Sequence, residues 1–233
     1  MSAECGTSGA RAGAGLPSPT LVCFAVKEEG RFFSPWITSR PDLQLLITGM
    51  GHRNAEQALR RFLVQARPKL VLSCGFAGGL NPNLASGTVL FFAENQTGLE
   101  PALQAAGAQP GRFHCAERVA TTAQEKQVLW QNTGADAVEM ESQVICTRCR
   151  EAGIPSATVR VILDTAQEDL PLDFNALMTE DQQLDSRKLA LAIMKSPAKI
   201  VGLLRLQKQT QAAAKSLAQV LAQALGGPNS AVE

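Results

Sequence analysis

The chain has 233 residues, 45% of them apolar, with 22 Lys and Arg set against 21 Asp and Glu. That length suits one large domain with a sizeable core. The near balance of charge excludes the basic stripe of a nucleic-acid binder, so no nucleic-acid partner is expected.

Residues 1–19 are rich in Gly, Ala, Ser and Pro and lack an apolar h-region, so they read as a disordered leader rather than a signal peptide. No run of about 18 apolar residues occurs, so no spanning helix is expected. Leu21–Val26 is continuously apolar, as in a strand buried on both faces. It ends in Lys27, Glu28, Glu29, Gly30 and Arg31, at the position where open α/β sheets place ligands; a solvated turn is the other reading. Leu43–Thr48 predicts a second strand. Ala55–Ala66 predicts a helix, with its apolar residues at i, i+3, i+4 and i+7. The intervening turn, Gly49 to Asn54, invites a dinucleotide reading. Asn54 replaces the third glycine, however, and no acidic residue follows about 20 positions later. The turn remains able to aim an amide at an anion from a helix N-terminus.

Leu70–Ser73 predicts a third strand, followed by a loop over Cys74–Pro82. Gly75, Gly78 and Gly79 there suit either a multiple bend or a ligand pressed against the main chain. Thr88–Ala93 predicts a fourth strand and Leu99–Ala106 a short helix. Thr122 and Glu125 form a capping box for a helix reaching about Thr133, where Gly134 stops it. Ala137–Met140 is a short strand that delivers Glu139 and Glu141 around Met140. A helix over Ser142–Ala152 and a strand over Ala157–Leu163 follow, the strand presenting Arg160 and Asp164. An acidic loop spans residues 164–175. Helical patterns occupy 186–195 and 197–225, and residues 227–233 form a disordered tail. Alternating strands and helices predict an α/β domain over residues 20–226, with the C-terminal helices 186–225 included.

Six cysteines stand at 5, 23, 74, 115, 146 and 149. Cys146-x-x-Cys149 lacks the second pair or the histidines of a zinc site, and it falls in mid-helix, unlike a redox motif. Reduced thiols, no metal and a cytoplasmic location are the expectation.

The carboxylates suggest a chemistry. A glycosidic C–N bond breaks through an oxocarbenium-like transition state. A carboxylate can accept from a ribose diol, and a carboxylic acid kept neutral by burial can protonate a leaving base. Asp164 directly follows the apolar run Val161, Ile162, Leu163, so desolvation is expected to raise its pKa.

Gly75 to Leu80, Val138 to Glu141 and Arg160 to Ala166, in this order and spacing, resemble the nucleoside phosphorylase/nucleosidase superfamily, of purine nucleoside phosphorylase and methylthioadenosine/S-adenosylhomocysteine nucleosidase type. The resemblance covers about residues 21–166. Thr121, Thr122, Glu125 and Lys126, with the loop after Asp164 and the Leu203–Leu206 run, are most similar to hopanoid-associated phosphorylases. It implies a single-domain three-layer sandwich with a central mixed, partly barrel-like β-sheet flanked by helices. It further implies cleavage of an adenosine-type purine ribonucleoside by phosphorolysis, with an adenosylated hopanoid lipid as one such substrate. A hydrolytic nucleosidase and a non-catalytic nucleoside-binding relative are the alternatives. No cofactor is implied beyond phosphate as co-substrate.

By the same resemblance, Asp164 and Glu29 are catalytic, Glu29 through a water. Glu141 binds the ribose hydroxyls over Met140, Arg160 orients the site, and Gly75 and Phe76 line the nucleophile side. The Gly-Asp-Pro-x-Arg phosphate loop of the classical phosphorylases is absent, which leaves Arg31, Arg53 or backbone amides to hold phosphate. Phe76 replaces a small polar residue, and the region of Ala120–Thr122 lacks a base-stacking aromatic. A homo-oligomer is expected. Lys195, Lys199, Arg205 and Lys208 lie among Ile200, Val201, Leu203, Leu204 and Leu206, which suits either a weak membrane-surface contact or packing within the protein.

Overall fold

A computed structural model of the chain describes residues 17–179, 181, 182, 185, 187, 188, 190, 191 and 199–226. The elements are β1 (Thr20–Phe24), α1 (Ser34–Ile37), β2 (Leu43–Ile47), α2 (Gly51–Gln65), β3 (Leu70–Gly79), β4 (Val89–Ala93), α3 (Glu100–Ala105) and β5 (Gln109–Pro110). They continue with β6 (Phe113–Cys115), α4 (Ala123–Thr133), β7 (Ala137–Glu139), α5 (Ser142–Glu151), β8 (Ser156–Asp164), α6 (Phe174–Leu177) and α7 (Lys199–Ala224). Most of the leader, most of the helix expected over 186–195 with Lys195, the start expected at Pro197, and the tail lie outside the described residues.

The 8-stranded sheet runs β2-β1-β3-β8-β4-β5, with β7 pairing β3 and β6 pairing β7. It is mixed. β4 and β8 pair antiparallel, as do β3 and β7, whereas β1 is parallel to both β2 and β3. It is not a closed barrel, since β2 and β5 end the path.

Three layers follow from the two-residue period of the strands. Val22 and Phe24 of β1, with Leu72 and Val159, pack on one face against Leu103 of α3 and Leu217 and Leu221 of α7. Leu21 and Cys23 of the same strand, with Val71, pack on the other face against Ala55 and Leu59 of α2 and Ile145 and Cys149 of α5. A fully buried Leu contributes about 1.5–3 kcal/mol, so β1 has no face left for polar residues, which is why it reads as unbroken apolar sequence.

The glycine-rich stretch expected to be a loop is the second half of β3. It pairs with β8 through Gly78, with a register shift between Ala77 and Gly78, and with β7 at Gly78 and Gly79. Glycine there permits close approach rather than a bend. A Cβ on Gly79 would lie 3.1 Å from the Asp164 carbonyl oxygen. Helix α2 also starts earlier than its apolar stripe, at Gly51, because Gly49 and Gly51 adopt φ of 84° and 79° and turn the chain straight into it. The capping box of α4 forms as expected, with the Glu125 amide donating to Thr122 Oγ1 at 3.1 Å and Gly134 left-handed at the far end. The elements without a sequence-based expectation, α1, β5, β6 and α6, have four residues or fewer.

No helix among the described residues is long and apolar enough to cross a membrane. Cys23, Cys74, Cys115, Cys146 and Cys149 are free thiols, including the Cys146-x-x-Cys149 pair. No group of three or more His, Cys, Asp or Glu among the described residues could hold a metal ion.

Candidate active site

β3, β7 and β8 meet around a cavity of about 300 Å³ lined by Glu29, Phe76, Glu139, Met140, Glu141 and Asp164, among others. Met50, Phe174, Met178, Leu206 and Thr210 complete much of its apolar wall. A larger hollow of about 650 Å³ shares Arg118, Val119 and Ala120 with it but contains none of these buried carboxylates.

Arg160 organises one end. It is 1% exposed, and its Nη2 donates to Glu139 Oε2 at 2.7 Å, Ser73 Oγ at 3.1 Å and Glu141 Oε2 at 3.4 Å. Burial works against its charge, but Glu139, Glu141 and Glu29 around it hold its pKa above the ordinary arginine value. Glu139 is saturated. Besides Arg160 it accepts from the amides of Glu141 at 3.0 Å and Ser142 at 2.7 Å, and from Ser142 Oγ at 2.7 Å. Burial alone would raise its pKa, but Arg160 and the Ser142 hydroxyl bring it below the usual carboxylate range. Glu139 therefore serves to hold Arg160 and the start of α5, a role its sequence position did not separate from that of Glu141.

Glu141 differs from its neighbour. It accepts the Gly51 amide at 2.8 Å, at the first turn of α2, and makes only a long contact with Arg160. Burial pushes its pKa up, Arg160 opposes this, and the charges of Glu139 and Glu29 push the same way as burial. It lines the cavity with bonding capacity to spare.

Glu29 hangs from the turn after β1 and is 6% exposed. It accepts from the amides of Ala25 at 2.7 Å, Val26 at 3.2 Å and Phe76 at 2.8 Å. Burial raises its pKa, against the Arg160 charge and these amides. Gly75 makes the arrangement possible, since a Cβ there would stand 2.5 Å from Glu29 Oε1 and 3.0 Å from Arg160 Nη1. Gly75→Ala is therefore expected to lower stability by about 1–3 kcal/mol, the usual cost of overpacking, and to displace Glu29. Urea denaturation checks the first effect; an alanine variant as stable as the parent would show that the two side chains move aside freely.

At the other end Asp164, 6% exposed, pairs with Lys126 of α4 through Oδ2. Burial raises the Asp164 pKa, as the apolar run before it led us to expect, and the lysine opposes that rise. The segment Val119–Ala123 beside it is clamped to the chain after β8. Asn175 receives the Val119 amide on Oδ1 and donates Nδ2 to the Val119 carbonyl, both at 2.9 Å. The Leu170 amide donates to Thr121 O at 2.8 Å, and Asp169 accepts the Ala123 amide at 2.7 Å. Ala120, which lines the cavity, sits between these clamps.

Six residues singled out from sequence, Glu29, Phe76, Met140, Glu141, Arg160 and Asp164, thus lie in or directly against one cavity, with Gly75 under Glu29. Arg31 and Arg53 do not join them. Both are exposed and absent from the cavity wall, and the Arg31 guanidinium lies 5.7 Å from the Phe32 ring centre. Lys126 and Phe174 escaped sequence reasoning. Lys126 entered only as one residue of the run that carries the family resemblance, without a role, and α4 has no strong apolar stripe to mark its inner face. Phe174 lies in what read as an acidic loop, whose Asp173 caps a helix by accepting the Asn175 and Ala176 amides.

The open mixed sheet between helices is a fold shared with solved nucleosidases. The 5'-methylthioadenosine/S-adenosylhomocysteine nucleosidase of Neisseria meningitidis, solved with methylthio-immucillin-A, is 17% identical, with a TM-score of 0.64 over 88% of this chain and 97% of that one. The futalosine hydrolase of Helicobacter pylori is 16% identical, with a TM-score of 0.63 over 88% and 97%. The S-adenosylhomocysteine nucleosidase of Streptococcus pyogenes is 14% identical, with a TM-score of 0.63 over 92% and 98%. A sequence model of the phosphorylase superfamily matches residues 20–114 and 98–195, and the chain belongs to that family.

Proposed function

We propose that residues 20–226 form an enzyme that cleaves the N-glycosidic bond of a purine ribonucleoside, with water as the nucleophile. The observation that carries this reading is one cavity holding Glu29, Glu141 and Asp164, three carboxylates in three different environments. Glu141, with acceptor capacity unused, takes the ribose hydroxyls, and Met140 packs beneath the sugar. Asp164 gives its proton to a ring nitrogen of the base, and the electrons of the C1'–N bond pass to that base. Glu29 holds the water that adds to C1' and accepts its proton, with Gly75 and Phe76 fixing the carboxylate. Arg160 keeps Glu29 and Glu141 in register.

Charge favours water over phosphate. Four carboxylates, Glu29, Glu139, Glu141 and Asp164, line the cavity, while the buried Arg160 and Lys126 are engaged with Glu139, Glu141 and Asp164. Arg118 pairs with Glu125, and Arg31 and Arg53 face solvent. A phosphate dianion would meet repulsion, with no cation of the cavity wall among the described residues left unpaired to offset it. Relatives of this fold named as nucleosidases and a hydrolase support the same choice.

One feature favours a second reading, phosphorolysis of an adenosylated hopanoid at a membrane surface. Leu206 and Thr210 of α7 line the cavity, while Ile200, Val201 and Leu204 just before them are exposed beside Lys199 and Lys208. An apolar substituent leaving the cavity along α7 would meet that strip. We also take the protein to be a cytoplasmic homo-oligomer. The free thiols support the first part, and the exposed Val128 and Trp130 of α4 support the second.

Product analysis tests these readings. Adenosine, methylthioadenosine and an adenosylated lipid are incubated with the protein, with and without phosphate. Hydrolysis gives free base and free sugar at a rate indifferent to phosphate. A phosphate-dependent sugar 1-phosphate would establish phosphorolysis instead. Nucleoside binding with no base released from any purine riboside would leave a non-catalytic relative.

A further inference from the structure

Lys126 has no exposed side-chain surface, an uncommon state for a lysine unless it is paired. Its ammonium spends all three protons inside one turn of chain: on Asp164 Oδ2, on the Thr165 carbonyl at 2.9 Å and on the Glu168 carbonyl at 2.7 Å. The same turn is held from the other side. Glu168 Oε2 accepts the Thr165 amide at 2.9 Å, and Glu168 Oε1 accepts from Arg205 at 2.7 Å and Gln209 at 3.3 Å on α7. Two helices thus fix the position of one carboxyl group.

We propose that Lys126 is the positioning residue for the acid of the reaction, an inference that rests on the glycosidic-cleavage reading above. By holding Oδ2 it leaves Oδ1 as the oxygen that carries the proton toward the base. When that proton moves from Oδ1 to the base nitrogen and the C1'–N electron pair follows onto the base, the carboxylate left behind already has a cation in contact. No water or side chain need reorganise to receive it. A neutral hydrogen-bond donor could orient Asp164 equally well but could not take up that charge.

The other charged groups around Asp164 are Glu168 in the following turn, itself paired with Arg205 of α7, and Arg118 on the clamped segment. Glu29, Glu139 and Glu141, with Arg160, lie in the rest of the cavity region. None of them is in hydrogen-bond contact with the Asp164 carboxylate, so Lys126 dominates its titration among the charged groups.

A lysine that merely ties the turn would, when lost, loosen the site and raise KM, and a neutral donor in its place would restore the rate at every pH. The test therefore follows pH. Base release by the parent, Lys126→Met and Lys126→Arg is measured across pH, and the Asp164 carboxyl is titrated by carbon NMR on aspartate-labelled protein without substrate. The lysine lowers the Asp164 pKa, so Lys126→Met moves the alkaline limb of kcat/KM, and the carbon midpoint, upward by about one pH unit or more. Its kcat falls while KM changes little. Lys126→Arg restores the parental limb. If Lys126→Met does not fold, Lys126→Gln, which keeps a donor without charge, carries the same comparison. A carbon midpoint unmoved by loss of the charge overturns the inference. Failure of the parent to release base from any purine riboside overturns the cleavage reading, and the carbon titration reports on the pair in either case.

Discussion

Asp164→Asn lowers the rate of base release by about 10²–10⁴-fold, the usual contribution of a positioned acid. The amide keeps the shape of the side chain and still offers Lys126 an oxygen, but it has no proton of carboxylic acidity to give. Nucleoside binding survives, because Glu141 and Met140 stand at a different part of the cavity. The variant also leaves the buried Lys126 without its counter-charge, which costs about 3 kcal/mol or more when one member of a buried ion pair is removed. Turnover, nucleoside affinity and urea denaturation measured on the same preparation separate these effects. A variant that binds nucleoside and turns it over at the parental rate would remove Asp164 from the chemistry.

Arg160→Met has a larger structural effect, about 3–5 kcal/mol of lost stability near neutral pH. Glu139 loses its 2.7 Å partner, and Glu29 and Glu141 lose the charge that opposes their desolvation. The pH dependence has a defined sign. Without the guanidinium Glu29 and Glu141 have pKa values further above their unfolded ones. The stability they contribute in neutral form is then complete below the unfolded carboxylate pKa, about 4.3. It is lost as pH rises through the raised folded values. The variant should therefore come closest to the parent in mild acid and fall furthest behind it at alkaline pH. Urea curves at several pH values check this, and an equal deficit throughout would mean that packing, not charge, is what Arg160 supplies.

Much of this arrangement was legible in the chain because it was written in local signals. The unbroken apolar run of β1 from Leu21 onward required burial on both faces, and the three-layer packing provides it. Thr122 and Glu125 marked the start of α4 to the residue, since a capping box is a contact between near neighbours. A carboxylate at or just beyond the end of an apolar strand is conspicuous, but the family resemblance was needed to single out Glu29 from Glu28 and to give Glu29, Glu141 and Asp164 separate expected parts. What stayed hidden was long-range. Nothing in Gly75 to Gly79 distinguishes a loop from a strand that needs bare backbone, because the reason lies in Glu29, Arg160 and the Asp164 carbonyl, far away in sequence. Lys126 looked like an ordinary helix lysine, and only the return of β8 and its following turn encloses it. Arg31 and Arg53 suggested phosphate contacts through charge and position alone, and side-chain direction places both in solvent.

The clamped segment Val119–Ala123 bears on how such an enzyme diverges. Its main chain is held by Asn175, Leu170 and Asp169, so the side chain at 119 forms none of these clamps, while the Ala120 methyl packs with Leu80, Ala135 and Val138. A wall built this way can drift in sequence over long times and keep the same surface toward its ligand. Inheritance at this end of the cavity would then be carried by the distant residues that do the clamping.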